Sequence, residues 1–525
     1  VVHPNASEGR ESAATALVKQ ARLTAEFFHS GEECFATVDI EGHLETYAVR
    51  SRGFRSWLGK RFFEEYERAA SGEALTSAIT TLEGFARFQA PNLPVYLRVA
   101  GDGERVFVDL CDDHWRIVEI NARGYQIIDS NNCPVRFRRA HGMQPLPLPA
   151  PGGSLVDLAR FLNLASADDL VLVIGWIVGA LHPSGPYAIL ILHGEQGSAK
   201  TTTARVLRDL LDPNVAPVRS EPREPRDLMV AANNGWVCAF DNMSALPGWF
   251  SDALCRLSTG GGFGARTLYT DQDETVFFAK RPSILTGIEE LATRGDLLDR
   301  AIVIYLPRIQ RCTPEGEFFR TYEASRPKLL GALFNAVSSS LANSGKTFEG
   351  LPRMADFAAW VVAAESSIGW TPGSFLRAYQ ANRAAANDLS LETPVAEAVL
   401  RISVPWMGTA SELLKELDLL ADERAKKLKT WPGSGRALSN ALRRLAPNLR
   451  EVGLCMQFSR EPRTGRRLIT LSRPEDGRIS SSPPSPSSLS SRRPDSNNDA
   501  GDAGDAGDDR KRQSSEGIIP VEEEL

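Results

Sequence analysis

Apolar stretches in this chain come in two kinds. Short runs bounded by turns, such as residues 188–192 and those inside WVCAFD, PSILTG and AIVIYLP, read as strands buried on both faces. Between them, segments such as TTARVLRDLL place apolar residues three and four apart, which predicts amphipathic helices. From 151 to 315 the two kinds alternate, giving five strands when VAPVRS is counted. That alternation predicts an α/β fold: a three-layer core around a mostly parallel sheet.

Elsewhere the period changes. Residues 1 to about 12 are polar and are expected to be loose. Up to Phe88, helical patterns such as SRGFRSWLGKRFFEEYERAA alternate with CFATVDI and LETYAV. From Pro94 to Arg139, short β segments turn at Gly101-Asp102-Gly103 and at Arg123-Gly124, so residues 1–150 read as a small N-terminal α+β domain. PLPLPAPGG at 145–153 reads as a stiff linker. Residues 316–392 are helical and Ala-rich, as a lid or packing bundle would be. Residues 393–474 give helix, helix and two-stranded wing, the winged-helix arrangement, with the second helix expected to stop at Pro447. The tail, 475–525, is dominated by Ser, Pro, Gly and Asp, and is expected to stay disordered because it has too little apolar surface to bury.

Composition changes this picture in two places. The net charge of -6 argues against nucleic acid only if it is uniform, and the acid excess sits in the tail. Between Arg436 and Arg467, by contrast, there are eight arginines and two acids. The seven cysteines are scattered without a CxxC pair, which argues against zinc and fits a reducing, cytoplasmic setting. Residues 171–181 are too few to cross a bilayer, no signal-peptide pattern is seen, and no membrane partner is expected. Asp109, Asp112, Asp113 and His114 read as a solvated turn rather than a metal site.

The chemistry concentrates in GEQGSAKTT, residues 194–202, between a strand and a helix. Gly194, Lys200 and Thr201 meet the phosphate-loop pattern, with Ala199 where its last glycine is usual. Backbone N–H groups along Gly194, Glu195, Gln196, Gly197, Ser198, Ala199 and Thr202 would cradle the phosphates of ATP. Lys200 would reach the β and γ phosphates, and Thr201 would ligate Mg2+. Asp241 near the end of WVCAFDN stands where a second ligand for that metal belongs, with helix capping as its structural alternative. Asn242 follows it, an amide where a second acid would polarise the attacking water. The Gly260–Gly264 run leading to Arg266 reads as a mobile loop carrying a cation. Thr286 reads as a sensor of the γ-phosphate or as strand filler. Arg300 reads as an arginine finger acting on a neighbouring subunit, or as a partner of Asp296 or Asp299.

In this order, GEQGSAKTT, WVCAFDN, STGGGFGARTLYTD, PSILTG and LLDRAIVIYLP resemble the superfamily 3 helicases, in particular the primase-helicase type of phages, plasmids and other mobile elements. The resemblance covers roughly 155–310. It implies an AAA+-like hexameric ring that hydrolyses ATP at its subunit interfaces and moves on DNA, single-stranded within the ring. Arg266 would touch that DNA. A winged helix closes similar proteins, and here it would meet duplex DNA through Arg436, Arg443, Arg444, Arg450, Arg463, Arg466 and Arg467. Family members commonly carry a second acid at Asn242 and an Asn at Thr286. The expectation is therefore an ATP-dependent helicase or translocase of mobile-element replication. Its alternatives are an ATP-binding initiator that assembles on DNA without processive unwinding, and a nucleotide-gated switch whose winged helix binds protein.

Overall fold

The computed structural model describes residues 12–266, 274–288, 295–391, 393–428, 431–461 and 464–473. The polar start and the 475–525 tail lie outside them. At the centre is a four-stranded parallel sheet in the order Cys238–Met243, Ser283–Gly287, Ile189–His193, Ala301–Tyr305. Its strands are largely apolar because both faces are covered, with Asp241, Asn242 and Thr286 near their C-terminal ends. Leu190 and Leu192 pack on one face with the helices Lys200–Leu211 and Ala167–Ala180. Ile189 and Ile191 pack on the other with Pro225–Asn233 and Gly248–Thr259. All four side chains are at most 1% exposed, and each contributes roughly 2 kcal/mol by leaving water.

The fifth strand expected from VAPVRS reduces to a single parallel bridge between Arg219 and Phe240, beside the Cys238–Met243 strand. Pro217 removes one donor from that segment, and Arg208 of the adjoining helix takes up the carbonyls of Ala216 and Pro217 instead. The opposite edge is closed by a side chain. Asn382, on the helix Ser374–Leu391, accepts the Val303 N–H at 3.0 Å and donates to its carbonyl at 2.5 Å.

Besides the short pair Val95–Tyr96 and Arg136–Phe137, the described N-terminal residues form two larger sheets that belong to different cores. Strands Ala25–Ser30, Glu33–Ile40 and His43–Ala48 pack with helices Ala13–Thr24, Arg52–Tyr66 and Gly72–Gln89 around their own cluster. The second sheet, Val99–Gly101, Val106–Asp109, Ile117–Asn121 and Gly124–Ile128, sends Val106, Val108, Val118 and Ile120 into the same cluster as Leu190 and the 28-residue helix Glu315–Ala342. The Pro-rich stretch is therefore a strap and not a spacer. Leu146 is buried, the Ala150 N–H donates to Pro327 O at 2.7 Å, and any Cβ on Gly331 would lie 2.1 Å from Ala150 O.

In Asp109 and Asp112 the expected solvated turn meets arginine. Asp109 is buried and bonded by Arg139, and Asp112 pairs with Arg116. The expected Gly-rich loop is instead an antiparallel hairpin, Gly261–Arg266 against Glu274–Ala279, with a tip outside the described residues. Among the described residues no helix is long and apolar enough to cross a membrane.

The C-terminal region runs helix Pro394–Leu400, strand Trp406–Gly408, helix Ala410–Leu420, short helix Glu423–Lys426, helix Gly435–Glu451 and strands Cys455–Arg460 and Arg467–Ser472. Its three strands are ordered with Arg467–Ser472 in the middle. Thr409 caps the Ala410 helix in a capping box with Glu412. The Gly435 helix does not stop at Pro447 but continues to Glu451. Leu442 and Leu449, on either side of the proline, are fully buried, and that packing outweighs the one lost backbone bond.

Candidate nucleotide site

The strand Ile189–His193 ends in a turn whose geometry is set by positive φ angles: Gly194 at 155°, Gly197 at 83° and Ala199 at 65°. Gly194 is irreplaceable on steric grounds, since a Cβ there would sit 2.4 Å from Leu306 O and 2.6 Å from Ser198 Oγ. Ala199 is the N-cap of the helix Lys200–Leu211 and holds a left-handed conformation that costs an L-residue about 1 kcal/mol or more. Glu195, Gln196 and Gly197 are exposed, Ser198 is buried, and Thr202 lies in the first turn. The Lys200 ammonium folds back to donate to Gly194 O at 2.7 Å and Glu195 O at 2.8 Å, which keeps it over the turn. Partial burial draws its pKa below the ordinary value, and the charge of Asp241 works the other way.

Asp241 is not on a neighbouring strand, since Ser283–Gly287 lies between its strand and the phosphate-loop strand. The register breaks between Phe240 and Met243, and Asn242 takes the bulge at φ 56°, a conformation asparagine tolerates better than most residues. This turns the Asp241 carboxylate toward the helix, where the Thr201 hydroxyl donates to it, 3.0 Å from each oxygen. Thr286, on the intervening strand and 1% exposed, donates to Asp241 Oδ1 at 2.5 Å and accepts the Asn242 N–H at 3.0 Å. Its hydroxyl is thus directed at the carboxylate. A hydroxyl and a carboxylate side by side form a hard-oxygen donor pair suited to Mg2+, so Thr201 and Asp241 are the residues that would hold it.

Beside the loop opens a cavity of about 430 Å³ that the sequence pattern did not reveal. Leu162, Asn163, Ala199, Thr202, Ile309 and Phe318 are among its walls. Asn163 ties it together, donating to Ser198 O at 3.2 Å and Pro307 O at 2.5 Å, while the Ile309 N–H donates to Gly197 O. The only sequence signal was one polar residue inside the apolar run 161–164.

Arg300 lies at the other end of the sheet. It precedes Ala301, which pairs with Ile189, so a five-residue strand separates it from the phosphate loop, roughly 16 Å along the sheet. Its guanidinium donates to Asp296 Oδ1 at 2.5 Å and to Asp296 O at 2.7 Å. Arg266 ends the first hairpin strand, and its side chain lies outside what is described.

Residues 155–392 match the family model for the actinomycete integrative conjugative element replication protein, and residues 395–488 match the model for the C-terminal domain of the same protein. Side by side the two matches cover well over half of the chain. Both models describe the replication protein of one kind of conjugative element, so this chain is a replication protein of a mobile element. No curated protein matches it. Among solved structures, "SCCmec type IV Cch - active helicase" overlaps 86% of this replication protein and 94% of itself at 11% identity and TM-score 0.43. The apo C-terminal region of NrS-1 overlaps 88% and 98% at 11% identity and TM-score 0.37.

In the C-terminal domain of this replication protein, Arg436, Arg443 and Arg450 are exposed on the Gly435–Glu451 helix. Arg444 lies on it too, with its side chain outside the described residues. Arg443 lies over the Phe458 ring at 4.2 Å, which ties the helix to the strand Cys455–Arg460. Arg466 and Arg467 are exposed at the start of the last strand, Arg466 in an ion pair with Glu412 at 3.0 Å, and Arg463 lies outside the described residues.

Proposed function

We propose that this replication protein is an ATP-dependent helicase or translocase of the superfamily 3 kind, with an AAA+-like core and a C-terminal winged helix. The observation that carries the reading is the constellation of Thr201, Asp241 and Thr286 at the open end of the phosphate loop. In it the Lys200 loop holds the triphosphate, Thr201 and Asp241 hold Mg2+, and Thr286 fixes the carboxylate. The 430 Å³ cavity takes the nucleoside. Bound Mg2+ supplies charge neutralisation at the β and γ phosphates. The strand order supports the same reading: in chain order, with the Arg219 bridge counted as second, the sheet runs fifth, first, fourth, third, second.

Arg300, a strand's length from its own phosphate loop, acts as a finger on the nucleotide of the next copy, and a hexameric ring supplies that copy. The Gly261–Ala279 hairpin carries Arg266 to single-stranded DNA in the ring. Arg436, Arg443, Arg444, Arg450, Arg463, Arg466 and Arg467 contact duplex phosphates, so binding falls steeply with salt. ATP turnover is expected to rise with single-stranded DNA, and Lys200→Ala to abolish it. Turnover that ignores DNA in a multimeric preparation would reject the motor.

Asn242 favours a second reading, an initiator that uses ATP to assemble on DNA, because an exposed amide at the bulge orients water without taking its proton. Unwinding of forked DNA separates the two.

A further inference from the structure

The contact between Thr201 and Asp241 requires a helix and a strand that are not neighbours in the sheet to keep a fixed distance. Two charged side chains in the last turn of that helix set it. Asp212, fully buried, caps the helix with its backbone N–H, and its Oδ2 accepts the N–H groups of Trp236 at 2.8 Å and Val237 at 3.2 Å, just ahead of the Asp241 strand. Arg208, 1% exposed, donates to Ala216 O and Pro217 O, and two residues on, Arg219 O accepts the N–H of Asp241 itself at 2.8 Å. The helix that carries Thr201 thus grips the strand that carries Asp241 at its start and along its outer side.

The buried Asp212 charge is balanced from another part of the chain. Arg98, at the entry to the second N-terminal sheet, is itself fully buried and donates through Nε to Asp212 Oδ1 at 3.1 Å. Its remaining donors go to Asp109 O at 2.9 Å and Gln144 O at 2.8 Å, and its backbone sits at φ 51°. A non-glycine residue held in that region, with each of its three guanidinium nitrogens bonded to a fixed acceptor, is over-determined by its surroundings.

We propose that Arg98 is a positioning residue for the Mg2+ half of the nucleotide site, acting through Asp212 on the spacing of Thr201 and Asp241. The second N-terminal sheet is then a working part of the motor and not an appendage. This rests on the nucleotide-site reading above, and its effect is confined to one half of that site. The Lys200 ammonium is held by Gly194 O and Glu195 O of its own loop, so the loop keeps its grip on phosphate whether or not Asp241 shifts.

The test uses the full chain with Arg98→Met and Arg98→Lys, and compares binding of a fluorescent ATP analogue in EDTA with binding in Mg2+. In the parent, Mg2+ is expected to tighten binding. Arg98→Met is expected to leave the EDTA affinity within about twofold and to remove most of the Mg2+ gain, with Arg98→Lys recovering part of it. A folded Arg98→Met with the full Mg2+ gain overturns the proposal, and so does equal weakening in EDTA and in Mg2+, which a purely structural weld predicts. If Arg98→Met does not fold, Asp212→Asn, which keeps oxygen acceptance without the charge, decides by the same comparison. An absence of DNA-stimulated turnover in the parent would reject the motor and leave this binding test intact, whereas a parent with no Mg2+ gain would reject the nucleotide site itself.

Discussion

Where the strands of the central sheet finish, Thr201, Asp241 and Thr286 are already joined by hydrogen bonds within one chain. Where the strands begin, Arg300 is held on Asp296 of its own chain, and Asp299 beside it is shared by Arg353 and Arg383, each at 2.5 Å. Burial works to raise the Asp296 carboxyl, yet the Arg300 guanidinium bonded to it holds it below the ordinary carboxylate value. On the proposed reading the two ends are halves of one site: the first takes the nucleotide, the second supplies a finger to the next copy, and such halves suit head-to-tail packing in which the rotation can close a ring.

Breaking the second half should have the largest effect. Arg300→Ala is expected to bind ATP within about twofold of the parent and to lose roughly a thousandfold or more in turnover, the scale on which such a cation acts. Mixing it with Lys200→Ala subunits should restore part of the activity, because one copy brings an intact loop and the other an intact finger. Equilibrium binding, single-turnover hydrolysis and a mixing titration read the three quantities. No rescue in demonstrably mixed assemblies would confine Arg300 to its ion pair with Asp296 and remove the asymmetry between the two ends.

The next effect lies at the assembled end. Thr286→Val keeps the shape of a fully packed position but removes the hydroxyl that Asp241 and the Asn242 N–H both use. A hydrogen bond to a charged group contributes about 1.5–3 kcal/mol, so turnover should fall roughly ten- to a hundredfold while nucleotide binding in EDTA is unchanged. A Thr286→Val protein that loses EDTA binding instead would place the hydroxyl on the phosphate rather than on the carboxylate.

These two ends were unequally legible in the sequence. The turn at 194–201 was, as a glycine-bearing connection between an apolar strand and an amphipathic helix that matches the phosphate-loop pattern. Asp241 was legible as an acid near a strand end, but the bulge that aims it was not, since nothing local marks a register break except an asparagine. The hairpin was misread as a loop because glycine is scarce in strands, although Gly261, Gly262 and Gly264 all pair across the ladder. The Pro-rich stretch reads as a spacer because the acceptor of the Ala150 N–H, Pro327 O on the helix Glu315–Ala342, lies far away in sequence. The Arg98–Asp212 pair, 114 residues apart, has no sequence signature at all.

The smallest expected effect sharpens the assembled end instead of breaking it. Ala199 occupies the last glycine position of the phosphate-loop pattern at φ 65° and ψ 26°, as the N-cap of the helix Lys200–Leu211. In that region a Cβ costs about 1–2 kcal/mol, while glycine in the unfolded chain gives back roughly 0.4–1 kcal/mol through its extra freedom. Ala199→Gly should therefore stabilise the core around the central sheet by about 0.5–1 kcal/mol, a rise of roughly 2 °C in a melting transition that ATP is expected to raise as well. Thermal melts with and without nucleotide measure both shifts. An unchanged or lower midpoint in Ala199→Gly would mean that the turn carries no strain at this position, and that alanine stands there for its contact with the adjoining cavity.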